Sequence, residues 1–217
     1  MTLWSALLEI VVPDACVLCE APVVGLSPSG VCAACMRLLP KTVSRVSGPP
    51  NLVGMVSMGP YEGVLGAMVR HGKYTPKMGV FDVLGGHLGE ALEGRFNVDV
   101  VTHVPIPWTR CWHRGFDQGE RIGRAISARV GIPFRQLVCR RHKAQQVGKG
   151  SVERKALPVS AFGLLSDDIP ERVLLVDDVR TTGASLDAVA SALRLGGASS
   201  IWGATLCHQN VERKLYK

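Results

Sequence analysis

Apolar residues along the chain follow two different spacings. Short apolar runs bounded by glycine, proline or charged residues are typical of buried strands, whereas apolar residues three or four positions apart are typical of helices that pack on one face. The runs predict strands over Leu52–Met58, Val98–Val104, Val173–Val176 and Ile201–Leu206. Because strands and helices alternate, we expect an α/β fold with a mostly parallel sheet that helices cover on both faces.

Four helices are predicted around these strands. The clearest has the stripe Val80, Leu84, Leu88 and Leu92, although the glycines at 85, 86 and 89 weaken the prediction. The other three are Glu62–Arg70, the helix with the stripe Ile122, Ala125, Ile126 and Val130, and the helix with the stripe Leu186, Val189, Ala190 and Leu193. Glycine often ends a helix because it adopts the left-handed conformation freely, so Gly131 and Gly196–Gly197 are expected to close the last two.

Four of the seven cysteines lie within the first 35 residues as two Cys-x-x-Cys pairs. The pairs are Cys16 with Cys19 and Cys32 with Cys35, and a stretch rich in Pro, Gly and Ser separates them. Each pair can offer two thiolates from one tight turn, and four sulfurs complete a tetrahedral shell around Zn²⁺. Two disulfides fit poorly with a chain that shows no export signal, and a thioredoxin-like centre would need only one pair. We therefore predict a closed, structural zinc site with four cysteine ligands.

The length of the chain suits one domain of ordinary size with a small N-terminal appendage. The appendage covers residues 1–46 and includes an apolar segment at Met1–Val12, interpreted as a short amphipathic helix that packs on the body. Ser47–Pro50 is interpreted as a linker, and the α/β domain covers 51–217. The remaining cysteines, expected to be buried packing residues, are Cys111, Cys139 and Cys207.

The composition is that of a globular protein. With 47% hydrophobic and 20% charged residues, the chain can bury a core and is not expected to be disordered. No apolar run approaches the roughly 18 residues needed to cross a bilayer. Met1–Val12 has neither a basic start nor a small-residue cleavage site, which disfavours a secretory signal. We therefore expect a cytoplasmic protein without a membrane span, of an oligomeric state that the sequence does not define.

The net charge of +7 is unevenly distributed. The segment from Arg110 to Lys155 contains twelve Lys or Arg residues and three acids. A field of this kind attracts polyanions, which are either a polyphosphate ligand or a nucleic acid backbone. The alternative from composition alone is a basic face exposed to solvent.

The segment that follows Val176 is predicted to bind a phosphate group. In α/β folds, ligands bind at the carboxyl ends of strands, where the next helix begins. Thr181–Ser185 consists of small residues, so the backbone can turn tightly and direct several N–H groups at an anion. Three hydroxyl groups within it add donors, and the helix that begins near Gly183 adds the positive end of its dipole.

Two adjacent carboxylates precede this loop and narrow the choice of ligand. Asp177 and Asp178 would repel a phosphate, so they are suited to accept hydrogen bonds from vicinal hydroxyls or to hold Mg²⁺ shared with a ribose. A ligand with a phosphate at one end and a diol at the other is a ribose 5-phosphate. A helix cap with a tight turn is the simpler alternative, but it does not account for the whole pattern. A P-loop and a Rossmann site are excluded because the chain lacks the Gly-Lys-Ser/Thr ending and the glycine fingerprint.

The chain resembles the type I phosphoribosyltransferase superfamily and, more narrowly, the ComF family of competence-associated proteins. The loop over 173–185 is specific for the superfamily, and the cysteine pairs with Arg114-Gly115-Phe116-Asp117-Gln118 are specific for the ComF branch. The other matching segments are His71-Gly72-Lys73-Tyr74, Val104-Pro105-Ile106-Pro107, Gln145-Gln146, Arg154 and Ala161-Phe162. The resemblance covers nearly the whole chain and implies a type I phosphoribosyltransferase-like sheet flanked by helices, with an N-terminal zinc knuckle formed by the four cysteines.

The resemblance also implies functional roles for the matched residues. Phosphoribosyl pyrophosphate would bind with Mg²⁺, and the residues implied in catalysis are Asp177, Asp178 and Arg114. The residues implied in substrate binding are Val179, Arg180, Thr181, Thr182, Gly183, Ala184, Ser185, Arg110 and Lys73. The basic segment 140–155 falls where these enzymes carry a mobile loop that closes over the reaction.

Two positions depart from the family pattern. Asp117 stands where many relatives have Asn, and a carboxylate beside a diphosphate is unfavourable unless it binds Mg²⁺ or faces away. The family also tends to have Asn three residues after the arginine that is Arg154 here, where this chain has Leu157-Pro158. The proline predicts a stiffer loop.

Two functions are consistent with these features. As a phosphoribosyltransferase, the protein would stabilise departing pyrophosphate with Mg²⁺ and arginines while a nitrogen of an unidentified acceptor attacks the ribose. As a non-catalytic adaptor, it would keep the pocket and bind single-stranded DNA or DNA-uptake proteins during natural transformation. Near the basic segment, Phe116 is expected to pack in the core, whereas Trp108 and Trp112 fit either core packing or base stacking.

Overall fold

The computed structural model describes residues 15–23, 29–74, 79–141 and 159–209. Several features of the sequence lie outside these ranges, namely Met1–Val12, Gln145-Gln146, Arg154, Leu157-Pro158 and all but the first two residues of the segment 140–155. In the described ranges, no helix is long and apolar enough to cross a membrane.

The described residues form six α-helices, seven strands and one short 3-10 helix at Val159–Ala161. The helices are α1 (Ala33–Met36), α2 (Gly63–Tyr74), α3 (Gly79–Leu92), α4 (Trp108–Arg114), α5 (Gln118–Val130) and α6 (Ala184–Leu195). The strands are β1 (Ser44–Val46), β2 (Gly54–Pro60), β3 (Val100–His103), β4 (Val138–Arg140), β5 (Phe162–Leu164), β6 (Arg172–Arg180) and β7 (Ser200–His208).

Five strands form the central sheet in the order β1-β2-β7-β6-β3. The pairs β2–β7, β7–β6 and β6–β3 are parallel, and β1 pairs antiparallel with β2 at the edge. Strands β4 and β5 form a separate antiparallel pair. The α/β fold with a mostly parallel sheet is therefore confirmed, and the carboxyl end of β6 lies between those of β3 and β7.

Alternate residues of β6 contribute to two hydrophobic clusters on opposite faces of the sheet. Leu174 and Val176 belong to the cluster that includes α2, α3 and α5, whereas Val173 and Leu175 belong to the cluster with α6 and the β4–β5 pair. A strand buried on both faces explains why the sequence shows a continuous apolar run at this point.

Two of the glycines that weaken the prediction of α3 allow it to pack closely on α5. A Cβ at Gly85 would lie 2.9 Å from the carbonyl oxygen of Ile122, and one at Gly89 would lie 2.8 Å from the Cβ of Arg129. Neither contact leaves room for a larger side chain. The packing matters for function because the first residue of α5, Gln118, lines the candidate site.

The strand that carries the acidic pair is longer than the sequence predicts. Its pairing with β7 continues through Asp177 opposite Thr205 and Val179 opposite Cys207. The prediction that the strand ends at Val176 is wrong, because the apolar run stops there while the backbone ladder continues. The two carboxylates are therefore held by strand pairing and not by a loop.

The segment with Arg110 and Arg114 also differs from its prediction. The resemblance implies that the turn after the predicted strand Val98–Val104 is a pyrophosphate loop that brings Arg110 and Arg114 near a diphosphate. Both arginines instead lie on the helix α4, whose residues include none that is buried. A short helix without a buried face shows no apolar stripe, so its sequence gives no periodic signal. Strand β1 and the β4–β5 pair were missed because each strand has only three residues.

The cysteine-containing segment packs against the body of the protein. Cys16, Val31 and Cys35 belong to the same hydrophobic cluster as α2 and α3. After the predicted linker, Asn51 Nδ2 donates a hydrogen bond to Asp187 Oδ1 in α6 (2.9 Å). The predicted domain division near residue 46 stays a prediction, although β1, which precedes the linker, is part of the sheet.

Candidate functional site

A cavity of about 250 Å³ opens at the carboxyl ends of the parallel strands. Eight residues of its wall were predicted from the sequence: Lys73, Arg110, Arg114, Asp177, Asp178, Val179, Thr181 and Ser185. The other wall residues are Tyr61, Val104, Pro105, Ile106, Pro107, Gln118, Arg140 and Gln209. The structure thus brings together the predicted acids, cations and hydroxyl groups at the edge where α/β folds bind ligands.

Four residues of the predicted phosphate loop do not line the cavity, namely Arg180, Thr182, Gly183 and Ala184. Gly183 has φ 81° and ψ 0°, a left-handed conformation that favours glycine, and it immediately precedes α6. Thr182 Oγ1 accepts a hydrogen bond from the Ala184 N–H (3.3 Å). These residues shape the turn that brings Thr181 and the start of α6 to the cavity.

The two acidic residues differ in their surroundings. Asp178 is 6% exposed and forms an ion pair with Lys73, which lies in the last turn of α2. Asp177 is half-buried, and its Oδ1 accepts a hydrogen bond from the backbone N–H of Asp178 (2.8 Å). Burial and the neighbouring charge of Asp178 raise the pKa of Asp177 well above its usual range. Two adjacent carboxylates of which one is paired with a lysine are suited to a divalent cation or to ribose hydroxyls.

Cations form another part of the cavity wall. Arg110 and Arg114 are one turn apart on α4, and Arg114 Nη1 donates a hydrogen bond to Gln118 Oε1 (2.9 Å). At the end of β4, burial and the nearby charge of Arg110 lower the pKa of Arg140. Together with Lys73, four cations face two carboxylates in the cavity. The excess of positive charge favours a ligand with several negative charges.

Asp117 faces away from the cavity and organises its wall. Its Oδ1 accepts hydrogen bonds from the N–H groups of Gly119 (2.8 Å) and Glu120 (3.3 Å), so it caps the N-terminus of α5. Its Oδ2 accepts the N–H of Ile106 (3.0 Å) in the cavity wall. Burial alone would raise the pKa of Asp117, but the interaction with His103 and the N–H donors outweigh it and lower the pKa. The carboxylate that looked unfavourable beside a diphosphate is therefore structural.

Sequence reasoning missed several residues of the cavity wall. Tyr61 and Gln209 each directly follow a parallel strand, β2 and β7, so the position after a predicted strand was the available signal. Arg140 was grouped with the predicted mobile loop, and Gln118 appeared only as part of a family motif. Neither residue was predicted to line the site from the properties of its side chain.

The four N-terminal cysteines form one cluster. The Sγ atoms of Cys16, Cys19, Cys32 and Cys35 all lie within 4.8 Å of one another. The Cys19 and Cys32 sulfurs are 3.7 Å apart, close to the edge of about 3.8 Å that a tetrahedron with Zn–S bonds of about 2.3 Å requires. Burial alone would raise the pKa of Cys16, but N–H donors led by Cys32 lower it to about 6. The cluster therefore has the donors and spacing to hold a metal such as zinc.

The three other cysteines are not alike. Cys207 is fully buried on β7, where burial raises the pKa of its thiol to about 12, so the prediction of a packing residue is confirmed there. Cys111 and Cys139 are only half-buried.

The aromatic residues near the arginines divide into buried and exposed groups. Phe116 is 8% exposed and its ring centre lies 5.9 Å from that of Phe81, which confirms its prediction as a core residue. Trp108 and Trp112 are 59% and 73% exposed, and their ring centres are 5.6 Å apart. The two tryptophans are one turn apart on α4 and present aromatic surface to solvent.

The fold and this cavity define an α/β protein with a site suited to a polyanionic ligand at the ends of its parallel strands. The chain is similar to the DNA utilization protein YhgH of Salmonella typhi, with 27% identity over 91% of this chain and 98% of the relative. It is also 32% identical to competence protein F of Haemophilus influenzae, over 48% of this chain and 49% of the relative. Competence protein ComFC of Streptococcus pneumoniae is 30% identical, over 45% of this chain and 43% of the relative. These relatives confirm the resemblance to the ComF family, although no family model matches the chain.

Two solved structures align with parts of this chain at TM-scores below 0.5. An adenine phosphoribosyltransferase matches 83% of this chain and 92% of its own length, with a TM-score of 0.43 and 18% identity. A glutamine phosphoribosylpyrophosphate amidotransferase from B. subtilis matches 58% of this chain, with a TM-score of 0.42 and 20% identity. The match spans only 25% of that longer amidotransferase chain.

Replacing Asp117 with alanine is expected to destabilise the protein and weaken ligand binding at the cavity. The variant loses the helix cap and the bond to Ile106, so we expect the free energy of unfolding to fall by about 1–2 kcal/mol at pH 7. Because the pKa of Asp117 is lowered by folding, its contribution is present at neutral pH and disappears as the pH falls through the folded pKa. Urea unfolding of wild type and variant between pH 7 and pH 3 measures the difference.

Asp117→Asn is the matched control, since it keeps one carbonyl acceptor and should lose less stability than Asp117→Ala. Equal stability of wild type and Asp117→Ala at pH 7 would contradict the structural role of this carboxylate.

Proposed function

We propose that the protein binds phosphoribosyl pyrophosphate with Mg²⁺ and transfers its phosphoribosyl group to an acceptor. The observation that carries the proposal is that one cavity contains the carboxylate pair, two loop hydroxyls and three arginines. Carboxylates fit the ribose hydroxyls and the metal, the hydroxyls fit a 5-phosphate, and the arginines fit a diphosphate. The proposal assigns the protein to the glycosyltransferase class of enzymes.

In this proposal each residue acts through its charge or its donors. Asp177 and Asp178 hold the ribose hydroxyls, while Thr181 and Ser185 donate to the 5-phosphate beside the N-terminus of α6. Arg114, held by Gln118, is aimed at the pyrophosphate as it departs. Mg²⁺, when bound with the ligand, would neutralise charge on the diphosphate. The acceptor supplies a nitrogen nucleophile that attacks C1 of the ribose.

Calorimetric titration with phosphoribosyl pyrophosphate and Mg²⁺ tests the binding step. We expect saturable binding by the wild type and affinity at least about tenfold weaker in Asp177→Asn/Asp178→Asn, because each charged hydrogen bond contributes roughly 1.5–3 kcal/mol. Asp168→Asn is the matched control, since this aspartate is 84% exposed and lies outside the cavity wall.

Two results bear on the proposal in different ways. Absence of binding by folded, metal-loaded wild-type protein would contradict it. Pyrophosphate release in the presence of candidate nitrogen acceptors would support the transfer step.

We further propose that the four-cysteine cluster binds one structural Zn²⁺. Elemental analysis of the purified protein is expected to give about one zinc per chain, and Cys32→Ser is expected to lose it. The Tm of that variant should fall by about 10 °C or more, because a structural zinc site contributes folding free energy directly. Cys111→Ser is the control and should retain the metal, since Cys111 lies outside the cluster. Full zinc content in Cys32→Ser would refute the assignment.

A second candidate function is that of a non-catalytic adaptor for single-stranded DNA in competence and DNA uptake. The exposed pair Trp108 and Trp112 favours it, because stacked bases need aromatic surface next to positive charge and α4 also carries Arg110 and Arg114. Relatives named for DNA utilization and competence support a role in handling DNA. DNA-uptake proteins are the expected partners in this function.

Removal of the tryptophan pair is expected to weaken binding of single-stranded DNA. Fluorescence anisotropy with a labelled oligothymidylate should show at least about tenfold weaker binding by Trp108→Ala/Trp112→Ala, since stacking contributes roughly 1–3 kcal/mol per base. Leu195→Ala removes an 80% exposed apolar side chain elsewhere and should have no effect. Unchanged affinity of the tryptophan variant, or binding that does not fall with salt, would rule out this surface.

A further inference from the structure

Lys73 lines the cavity and is paired with one of the two acidic residues. Its Nζ forms an ion pair with Asp178 Oδ2, and the two side chains are only 16% and 8% exposed. The same ammonium group lies 5.6 Å from the centre of the Tyr61 ring. Lys73 also belongs to the cavity wall together with Arg110. In the described part of the chain, Lys73 is the cation that is ion-paired with Asp178.

An ammonium group at this place competes with a divalent cation. Mg²⁺ binds carboxylate oxygens and has the same sign of charge as Lys73. Repulsion between two cations is weakly screened when the carboxylate they share is mostly buried. While Lys73 remains on Asp178, binding of a free metal ion by the acidic pair is therefore disfavoured.

We propose that Lys73 is an exchangeable counter-ion, which neutralises Asp178 until a phosphorylated ligand enters with its metal. The inference rests on the proposed function, because it takes the ligand to carry a diphosphate. Phosphate oxygens offer Lys73 a new anionic partner in the same cavity, and the metal takes over the charge balance at Asp178. Metal and ligand consequently bind together, and free metal alone is excluded.

A lysine suits this exchange for physical reasons. Its four-carbon stem is flexible and its compact ammonium group can turn toward either partner, whereas a guanidinium tends to form rigid two-pronged contacts. The face of Tyr61 provides a favourable surface for the ammonium group between the two positions. Arg70, one turn earlier on α2, packs over the same ring at 5.3 Å but is exposed to solvent.

Binding of Mn²⁺ to the ligand-free full chain tests the inference directly. Mn²⁺ substitutes for Mg²⁺, and its free form is measured by electron paramagnetic resonance. We expect Lys73→Met to bind Mn²⁺ alone at least about tenfold more tightly than the wild type, which corresponds to roughly 1.4 kcal/mol. The same variant should bind phosphoribosyl pyrophosphate with Mg²⁺ more weakly. Arg70→Met removes a cation from the same helix and ring and should leave the Mn²⁺ affinity unchanged.

The outcomes separate this inference from the proposed function. Equal Mn²⁺ affinity in wild type and Lys73→Met, or an equal gain in Arg70→Met, would overturn the role of Lys73. If the wild type binds no phosphoribosyl pyrophosphate, the proposed function fails, while the Mn²⁺ comparison still reports whether Lys73 excludes metal. If Lys73→Met does not fold, Lys73→Gln gives the same comparison. Lys73→Arg keeps the positive charge and should bind Mn²⁺ alone as weakly as the wild type.

Discussion

The site depends on two acidic residues that lie near the carboxyl end of the strand β6 and are held there by its pairing with β7. Strand β6 pairs with β3 as far as Val176 and with β7 as far as Arg180, so the acidic pair lies on a stretch of β6 that is still held by its pairing with β7. Asp178 is only 6% exposed, so water solvates its carboxylate poorly and its charge must be balanced by a nearby cation or by a ligand. The position of Lys73 and the chemistry of the cavity follow from that requirement.

The remaining walls are held in place by main-chain hydrogen bonds to a few side chains. One carboxylate, Asp117, joins the start of α5 to the loop after β3 and so keeps Ile106 beside the cavity. Before β2, the side chain of Asn51 donates a hydrogen bond to Asp187. The carbonyl oxygen of Asn51 accepts one from Arg194 Nε (2.8 Å). The loop that precedes β2 is thereby fixed to α6, the helix that begins at the predicted phosphate loop.

Sequence reasoning recovered the parts of the protein that have a periodic or compositional signal. The apolar run at Val173–Val176 and the apolar stripes of α3 and α6 predict which residues are buried. The acidic pair and the small residues that follow it predict a ligand-binding segment. It failed for α4, because that helix has no buried face. It also failed for the end of β6, because the backbone pairing continues beyond the last residue of the apolar run. The role of Asp117 also escaped it, because the direction of a side chain depends on how α5 meets the loop after β3.

The placement of Arg140 beside Arg110 links the affinity of the cavity to the stability of the fold. Two guanidinium groups held close together repel each other whenever no anion lies between them, and burial lowers the pKa of Arg140 further. An anion bound beside these two guanidinium groups would offset their repulsion. Selection for heat resistance alone would favour a neutral residue in place of Arg140. The stabilised protein would then lose part of its capacity to attract anions.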